Sequence, residues 1–194
     1  MEKRGWNIAA YVDEQANARE GAGGVPVVSF ETWRQQIGEV SNIVTALDPD
    51  VRRRLVERII AHGGVIAPAA AAGWISRKVS FGDGTLIGGD PLYVGTTTAI
   101  GRHTIVMTPA SIGHDCVIGD FVTIYPSAAI SGHVVIEDGV TVGIGAVIVN
   151  GSARQPLRIG HGARISSGAV VTKSLRAGVL VTGNPGIISG PAEQ

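Results

Sequence analysis

Advancing six residues at a time from Val94, the chain places Val94, Ile100, Val106, Ile112, Ile118, Ile124, Ile130, Ile136, Val142 and Ile148, a run of large apolar residues without one polar interruption. The position four further on is small or β-branched (Thr98, Thr104, Ala110, Cys116, Val122, Ala128, Val134, Val140, Ala146), and the position one further on is often glycine (Gly95, Gly101, Gly113, Gly119, Gly143). Six with two inward positions is neither the period of an amphipathic helix nor that of an alternating strand; it is a solenoid period. The fourth position and the next large residue are two apart, so on extended backbone both side chains point to one side and build the core. The second and third positions after each large residue turn a corner, and His114, Asp115, His133, Asp138 and Gly139 fall there. Three such units make a triangular coil of 18 residues. Coils stacked about 4.8 Å apart pair each backbone with its neighbours, which is a parallel β-helix.

The repeat extends beyond this run. Ile75, Phe81 and Ile87 keep the step of six, one extra residue precedes Val94, and the first coil is therefore expected to be irregular. Ile148 and Ile159 are eleven apart, which predicts a loop bulging from a corner at residues 152–156 before Ile159, Ile165 and Val171 resume. Gly183-Asn-Pro-Gly186 and a polar tail end the repeat, as a solenoid with an otherwise exposed sheet edge requires.

The first third of the chain does not repeat. Residues 7–12 read as a buried strand ending in Asp13-Glu14, followed by a loop with Gly21, Gly23 and Gly24 and a short strand over 25–28. Ser29 caps a predicted helix over 30–37, and a strand over 42–47 leads to Asp48-Pro49, an N-cap followed by proline at the first helical position. That helix is expected to run to Ala61, bury Val51, Leu55 and Ile59 with Val56 and Ile60, and stop at Gly63-Gly64. Strand, turn, helix, strand, helix is half of a doubly wound parallel sheet. The Ala-, Pro- and Gly-rich stretch from Val65 to Gly73 reads as the linker and entry into the solenoid.

With 194 residues, 44% of them hydrophobic, the chain has ample material for a core, and 28 glycines suit a fold that turns so often. Formal net charge is zero, which argues against nucleic acid and anionic membrane as partners. Cys116, the one cysteine, sits at an inward position, so it reads as small core filler in a reducing cytoplasm. No secretory leader or membrane-spanning run is expected.

Among residues that carry chemistry, His114 leads. It lies at a corner with Asp115 beside it, a carboxylate able to orient the ring and leave one nitrogen free to take a proton. His133, one coil and one residue later, is expected at the same corner roughly 6 Å away. His103 and His161 fall on other corners and read as surface residues. A metal held by His114 and His133 lacks an evident third ligand, so no metal is expected. Arg52, Arg53 and Arg54 read as a solvated outer helix face. Asp13-Glu14, at a strand end of a nucleotide-type sheet, suits ribose or base hydrogen bonds.

From these residues the chain resembles the hexapeptide-repeat sugar acetyltransferases of the sialic acid O-acetyltransferase NeuD and bacillosamine N-acetyltransferase PglD type. The likeness runs from Tyr11-Val-Asp-Glu14 through the Arg52-rich helix to Gly183-Asn-Pro185, and its most specific part is His114-Asp115-Cys116 to Gly119-Asp120-Phe121, with Ser131-Gly132 and Gly168 to Lys173 in support. The resemblance implies a left-handed β-helix over residues 67–190, preceded by a small, truncated Rossmann-like module over 1–66. It implies a homotrimer with acetyl-CoA lying between two solenoids against Gly132, Ile144 and Ser167, with Gly168 and Lys173 nearby. His114 becomes the base that deprotonates the acceptor, supported by Asp115. The nucleotide-sugar goes to Asp13 and Glu14, with His133 on the acceptor side.

Three departures from the family pattern are evident. Thr123, on the donor side, stands where the family carries a second His; the loop at 152–156 is longer than usual; and the first strand with its glycine-rich turn is expected to be missing before Gly5, which takes the usual cradle from a diphosphate. The expected activity is direct acetyl transfer from acetyl-CoA to an amino group of a nucleotide-linked sugar. Transfer to a sugar hydroxyl is the nearest alternative, and a non-catalytic sugar-binding trimeric scaffold is the alternative of another class.

Overall fold

In the computed structural model, which describes residues 9–13, 24–35 and 40–191, the six-residue period becomes three parallel sheets wound around one interior. An eight-stranded sheet starts at Ala70–Ala71, a six-stranded sheet at Trp74–Ile75 and a five-stranded sheet at Ser80–Phe81. We call them the helix face, the aromatic face and the third face. Coil stacks on coil in the predicted register, Ala99 on Val117, Ile105 on Thr123 and Ser111 on Ala129. Two offsets break the rule, as expected: Trp74 pairs with Tyr93 because of the residue inserted before Val94, and Val134 pairs with Leu157 because of the inserted loop.

The large positions fill the prism in three columns. Val94, Ile112, Ile130 and Ile148 stack behind the aromatic face, Ile100, Ile118, Ile136 and Ile159 behind the third, and Val106, Ile124, Val142 and Ile165 behind the helix face, all 3% exposed or less. Burying each contributes roughly 1.5–3 kcal/mol, so the column and not any local propensity holds the two- and three-residue strands in place. Glycine after the large residue answers a contact between coils: a Cβ on Gly95 or Gly113 would lie 2.6 or 2.5 Å from the backbone of the next coil. The left-handed corner conformations are adopted by Thr97, His103, Asp115, Phe121, Ser127 and His133, with φ between 54° and 62°. Corner turning is thus not what those glycines are for.

The solenoid begins earlier than its composition suggests, since Ala70–Ala71, inside the stretch read as linker, already pairs with Leu86–Ile87. At the far end, Val179–Thr182 and Ile187–Pro191 form an antiparallel hairpin that closes the last edge of the helix face. Among the described residues no helix is long and apolar enough to cross a membrane.

Ahead of the solenoid, Tyr11–Val12 pairs in parallel with Val27–Val28, and Ser41–Asn42 with Val65–Ile66. Between them lie helices α1, Phe30–Gln35, and α2, Pro49–Ala61. Residues 36 and 37 of the expected first helix, and 7 and 8 of the expected first strand, lie outside the described residues. The strand expected over 42–47 is only Ser41–Asn42, because the carbonyls of Ala46 and Leu47 turn away to receive the Arg52 guanidinium. Asp48 caps α2 as predicted, its carboxylate 3.0 Å from the N–H groups of Asp50 and Val51, which hold its pKa down.

The inward face of α2 is the main correction to the sequence reading. Val51 and Ile60, expected in the apolar stripe, are exposed; Pro49, Arg52 and Val56 are buried. Arg52 is fully enclosed and donates to backbone carbonyls on two coils: Nε to His103 at 2.7 Å, and Nη2 to Phe121 at 2.8 Å and Val122 at 3.2 Å, besides the Thr123 hydroxyl at 3.0 Å. Burial pushes its pKa down to about 10, well above neutrality, so the charge remains and the carbonyls disperse it. Arg53 lies over the Phe121 ring at 4.2 Å, and only Arg54 is the solvated residue expected of all three. His103, expected at the surface, is buried and stacked 4.8 Å from Phe121, its pKa lowered by burial.

Arg52→Ala is expected to lower stability by about 3 kcal/mol or more, because it strands several buried acceptors without a donor. A falling urea midpoint together with earlier proteolysis between residues 40 and 66 is the expected result; an unchanged midpoint would contradict this account of how α2 is held.

Candidate active site

The aromatic and third faces meet at a corner whose side chains repeat coil by coil. Backbone hydrogen bonds stack Asp115 on Thr96 and His133 on His114, so one column reads Thr96, His114, Gly132 and its neighbour Thr97, Asp115, His133. Asp115 takes the left-handed conformation, φ 54°, which short polar side chains tolerate. Its Oδ2 lies 2.7 Å from His114 Nδ1. The carboxylate accepts, so Nδ1 carries the proton and Nε2 keeps its lone pair. That bond from His114 is the largest influence holding the Asp115 carboxyl below its ordinary value.

Gly132 decides where the His114 ring rests. One coil above His114 in the same column, it has no side chain, and a Cβ there would lie 2.7 Å from Nε2 and 2.8 Å from Cε1. The ring occupies the volume a larger residue would fill. His133 closes the other side: its ring meets His114 edge-on, centroids 5.0 Å apart at 87°, and its Nε2 lies 4.0 Å from Asp115 Oδ2. His114 and Asp115 are exposed and His133 is half-buried. The loop at 150–156 roofs the corner, with Gly151 N–H donating to Gly132 and Leu157 N–H to His133. Ser152 and Gln155 close this loop by exchanging backbone hydrogen bonds.

Donor atoms of His114, Asp115 and His133 lie within 4.8 Å of one another. Asp115, one coil beneath His133, is thus a third donor beside the two histidines, where the spacing gave no evident third ligand. Cys116 is the buried filler expected, its thiol 3.2 Å from the Ser131 carbonyl and its pKa raised by burial.

The other candidates divide by position. Ile144, Ser167 and Gly168 are exposed together at the opposite corner of the aromatic face, where Gly168 N–H donates to the Ile144 carbonyl. Lys173 is exposed on the turn after Val170–Val171. Thr123 does not join either group. It is fully buried, its hydroxyl donating to the Leu47 carbonyl at 2.7 Å and accepting from Arg52, and it faces α2 and not a donor. Asp13 is exposed beyond Tyr11–Val12, Glu14 lies outside the described residues, and His161 is exposed at another corner.

Gly132→Ala is expected to leave the fold intact, since the added methyl meets only the end of a movable side chain, and to lower kcat about tenfold or more by displacing His114. Unchanged circular dichroism and melting with reduced turnover is the expected pair of results; full activity would show that the ring position is not critical.

No family model matches the chain. It is 42% identical over 149 residues to GDP-perosamine N-acetyltransferase of Escherichia coli O157:H7, a match covering 74% of this chain and 65% of that protein's length. Among solved structures it is similar to WeeI from Acinetobacter baumannii, with 33% identity, TM-score 0.80 and coverage of 92% of this chain and 84% of that one. It is also similar to PerB from Caulobacter crescentus in complex with CoA and GDP-perosamine, with 26% identity, TM-score 0.85 and coverage of 97% and 88%. The likeness to WeeI, 33% identical and matched over most of both chains, together with the 42% identity to the N-acetyltransferase over part of its length, places the chain: it belongs to the hexapeptide-repeat sugar acetyltransferases.

Proposed function

We propose that the protein transfers the acetyl group of acetyl-CoA to the amino group of a GDP-linked amino sugar. The observation that carries this reading is the His114–Asp115 pair at 2.7 Å, which leaves Nε2 as a base on a ring seated where Gly132 has no side chain. The named relatives supply the acceptor class: one is a GDP-perosamine N-acetyltransferase, and another holds CoA and GDP-perosamine together. Both point to nitrogen, and the hydroxyl alternative finds no support of its own.

The chemistry is a direct displacement. The neutral amine attacks the thioester carbonyl and forms the C–N bond while His114 Nε2 accepts the amine proton; Asp115 steadies the resulting imidazolium. Backbone N–H groups of the coils stabilise the oxyanion, the C–S bond breaks, and the CoA thiolate recovers the proton from His114. Gly132 beside the base and Ile144, Ser167, Gly168 and Lys173 further along are the donor-side residues.

We also propose a homotrimer of left-handed prisms in the cytoplasm, with residues 1–66 forming an α/β module ahead of the β-helix. Outward positions beside the catalytic corner are small and uncharged over three coils of each face: Ala99, Val117 and Val135 on the third face before Arg158, and Ala129, Val147 and Val170 on the aromatic face after Tyr93 and Ser111. Such faces suit burial against a second copy. A light-scattering mass near three times 20.0 kDa is expected, and a monomer at micromolar concentration would remove the shared site.

His114→Ala is expected to lower kcat by roughly 10²–10⁴ while the protein stays folded, the usual worth of a general base. His133→Ala should cost far less. CoA thiol release with a GDP-linked amino sugar measures both; equal losses, or none at His114, would refute the assignment.

A further inference from the structure

Among the described residues one grouping brings three metal-binding side chains together: His114, Asp115 and His133, with a donor atom of each within 4.8 Å of the others. Two imidazole nitrogens and a carboxylate oxygen suit zinc, cobalt or nickel, and suit magnesium or calcium poorly because those ions take oxygen ligands. The other histidines stand apart. His103 is buried against Phe121, His62 has Nδ1 2.8 Å from the Arg58 carbonyl, and His161 is exposed at another corner.

Backbone pairing gathers the three before any ion arrives. Asp115 N–H donates to Thr96 and His133 N–H to His114, so the residues occupy adjacent coils of one stack and only side-chain torsions remain to adjust. A tetrahedral ion with bonds of about 2.0–2.2 Å keeps its donors roughly 3.3–3.6 Å apart. Asp115 Oδ2 is 2.7 Å from His114 Nδ1 and 4.0 Å from His133 Nε2, so one gap has to open a little and the other to close a little. His114 and Asp115 are exposed, which leaves the remaining position of the ion to water.

The place of such an ion decides what it does to the base. Without it, Nδ1 of His114 holds the proton that Asp115 accepts, and Nε2 keeps its lone pair. An ion seated between Nδ1 and Oδ2 takes the place of that proton, which moves to Nε2. The imidazole stays neutral, gaining and losing no proton, yet it now presents N–H where the amine proton has to be received. Asp115 no longer orients the ring as a base; it ligates the ion.

We infer that the corner of His114, Asp115 and His133 is an inhibitory site for a zinc-like divalent ion, which switches the base off by inverting the tautomer of His114. The inhibition rests on His114 being the general base, as read above; the binding site does not. His133, which approaches Asp115 only to 4.0 Å, has the part of third ligand. The expectation of no metal, drawn from spacing, gives way to this site.

Calorimetry with Zn²⁺ on the full chain reads the binding. Chromatography of the acetylated GDP-linked amino sugar reads the activity, because the CoA thiol itself binds zinc. One ion per chain is expected, with Mg²⁺ neither binding nor inhibiting. His133→Ala and Asp115→Asn should each weaken Zn²⁺ tenfold or more, and the activity that His133→Ala retains should need at least tenfold more zinc for half-inhibition. His161→Ala should bind zinc and be inhibited like the parent. In a zinc-soaked crystal, anomalous scattering should place the ion on His114 Nδ1. The inference falls, with the acetyltransferase reading intact, if His133→Ala binds zinc as the parent does, if the zinc-saturated enzyme turns over at full rate, or if the ion sits on Nε2 or away from this corner. Zinc binding that His133→Ala loses, in a protein that acetylates no amino sugar tried, would overturn the acetyltransferase reading and leave the metal site standing.

Discussion

Backbone hydrogen bonding between successive coils is the constraint on which everything else rests. Strands of two or three residues have no stability alone; each exists because N–H and C=O groups pair with the coil above and below while a large apolar side chain fills the prism. The same pairing fixes which surface residues meet. A corner side chain has as its neighbours the residues one coil away, whatever their chemistry, and so the corner that holds His114 is assembled by counting coils. His114 finds room because the residue one coil on is Gly132, and Asp115 sits under His133 for the same reason.

Arg52 is the second fixed point. A guanidinium has five donors and no acceptors, and here they are spent on carbonyls of two coils, on the segment before α2 and on the Thr123 hydroxyl. A lysine in this place would leave most of those acceptors unmet. Because the helix face is covered in this way by α2, it is the aromatic and third faces and the corner between them that stay uncovered by that helix. Thr123 is part of that closure, which accounts for the absence of a histidine at its position: the site there faces a buried arginine.

The corner proposed to be catalytic combines openness with orientation. His114 is exposed and so reaches a substrate, yet its ring is limited by the Asp115 hydrogen bond, the edge of His133 and the backbone of Gly132. A base held in this way loses little freedom on meeting the acceptor.

How much of this was legible in the residues differs from element to element. The step of six from Val94 to Ile148, the irregular first coil and the inserted loop all followed from spacing, because inward positions in a solenoid are chosen by volume and volume is visible in a residue's identity. The proximity of His114, Asp115 and His133 followed from the same count. The Asp48 cap was equally plain, since capping is local. The inward face of α2 was not. Val51 and Ile60 look like core and Arg52 like surface until the carbonyls that Arg52 meets are in place, and those belong to residues 103, 121 and 122, more than fifty positions away. His103 misled for the same reason, its corner being covered by that helix. The pairing of Trp74 with Tyr93 depended on a one-residue insertion that shifts the first coil against the second, and only the tertiary register, set by backbone pairing, decides which side chains then stand together.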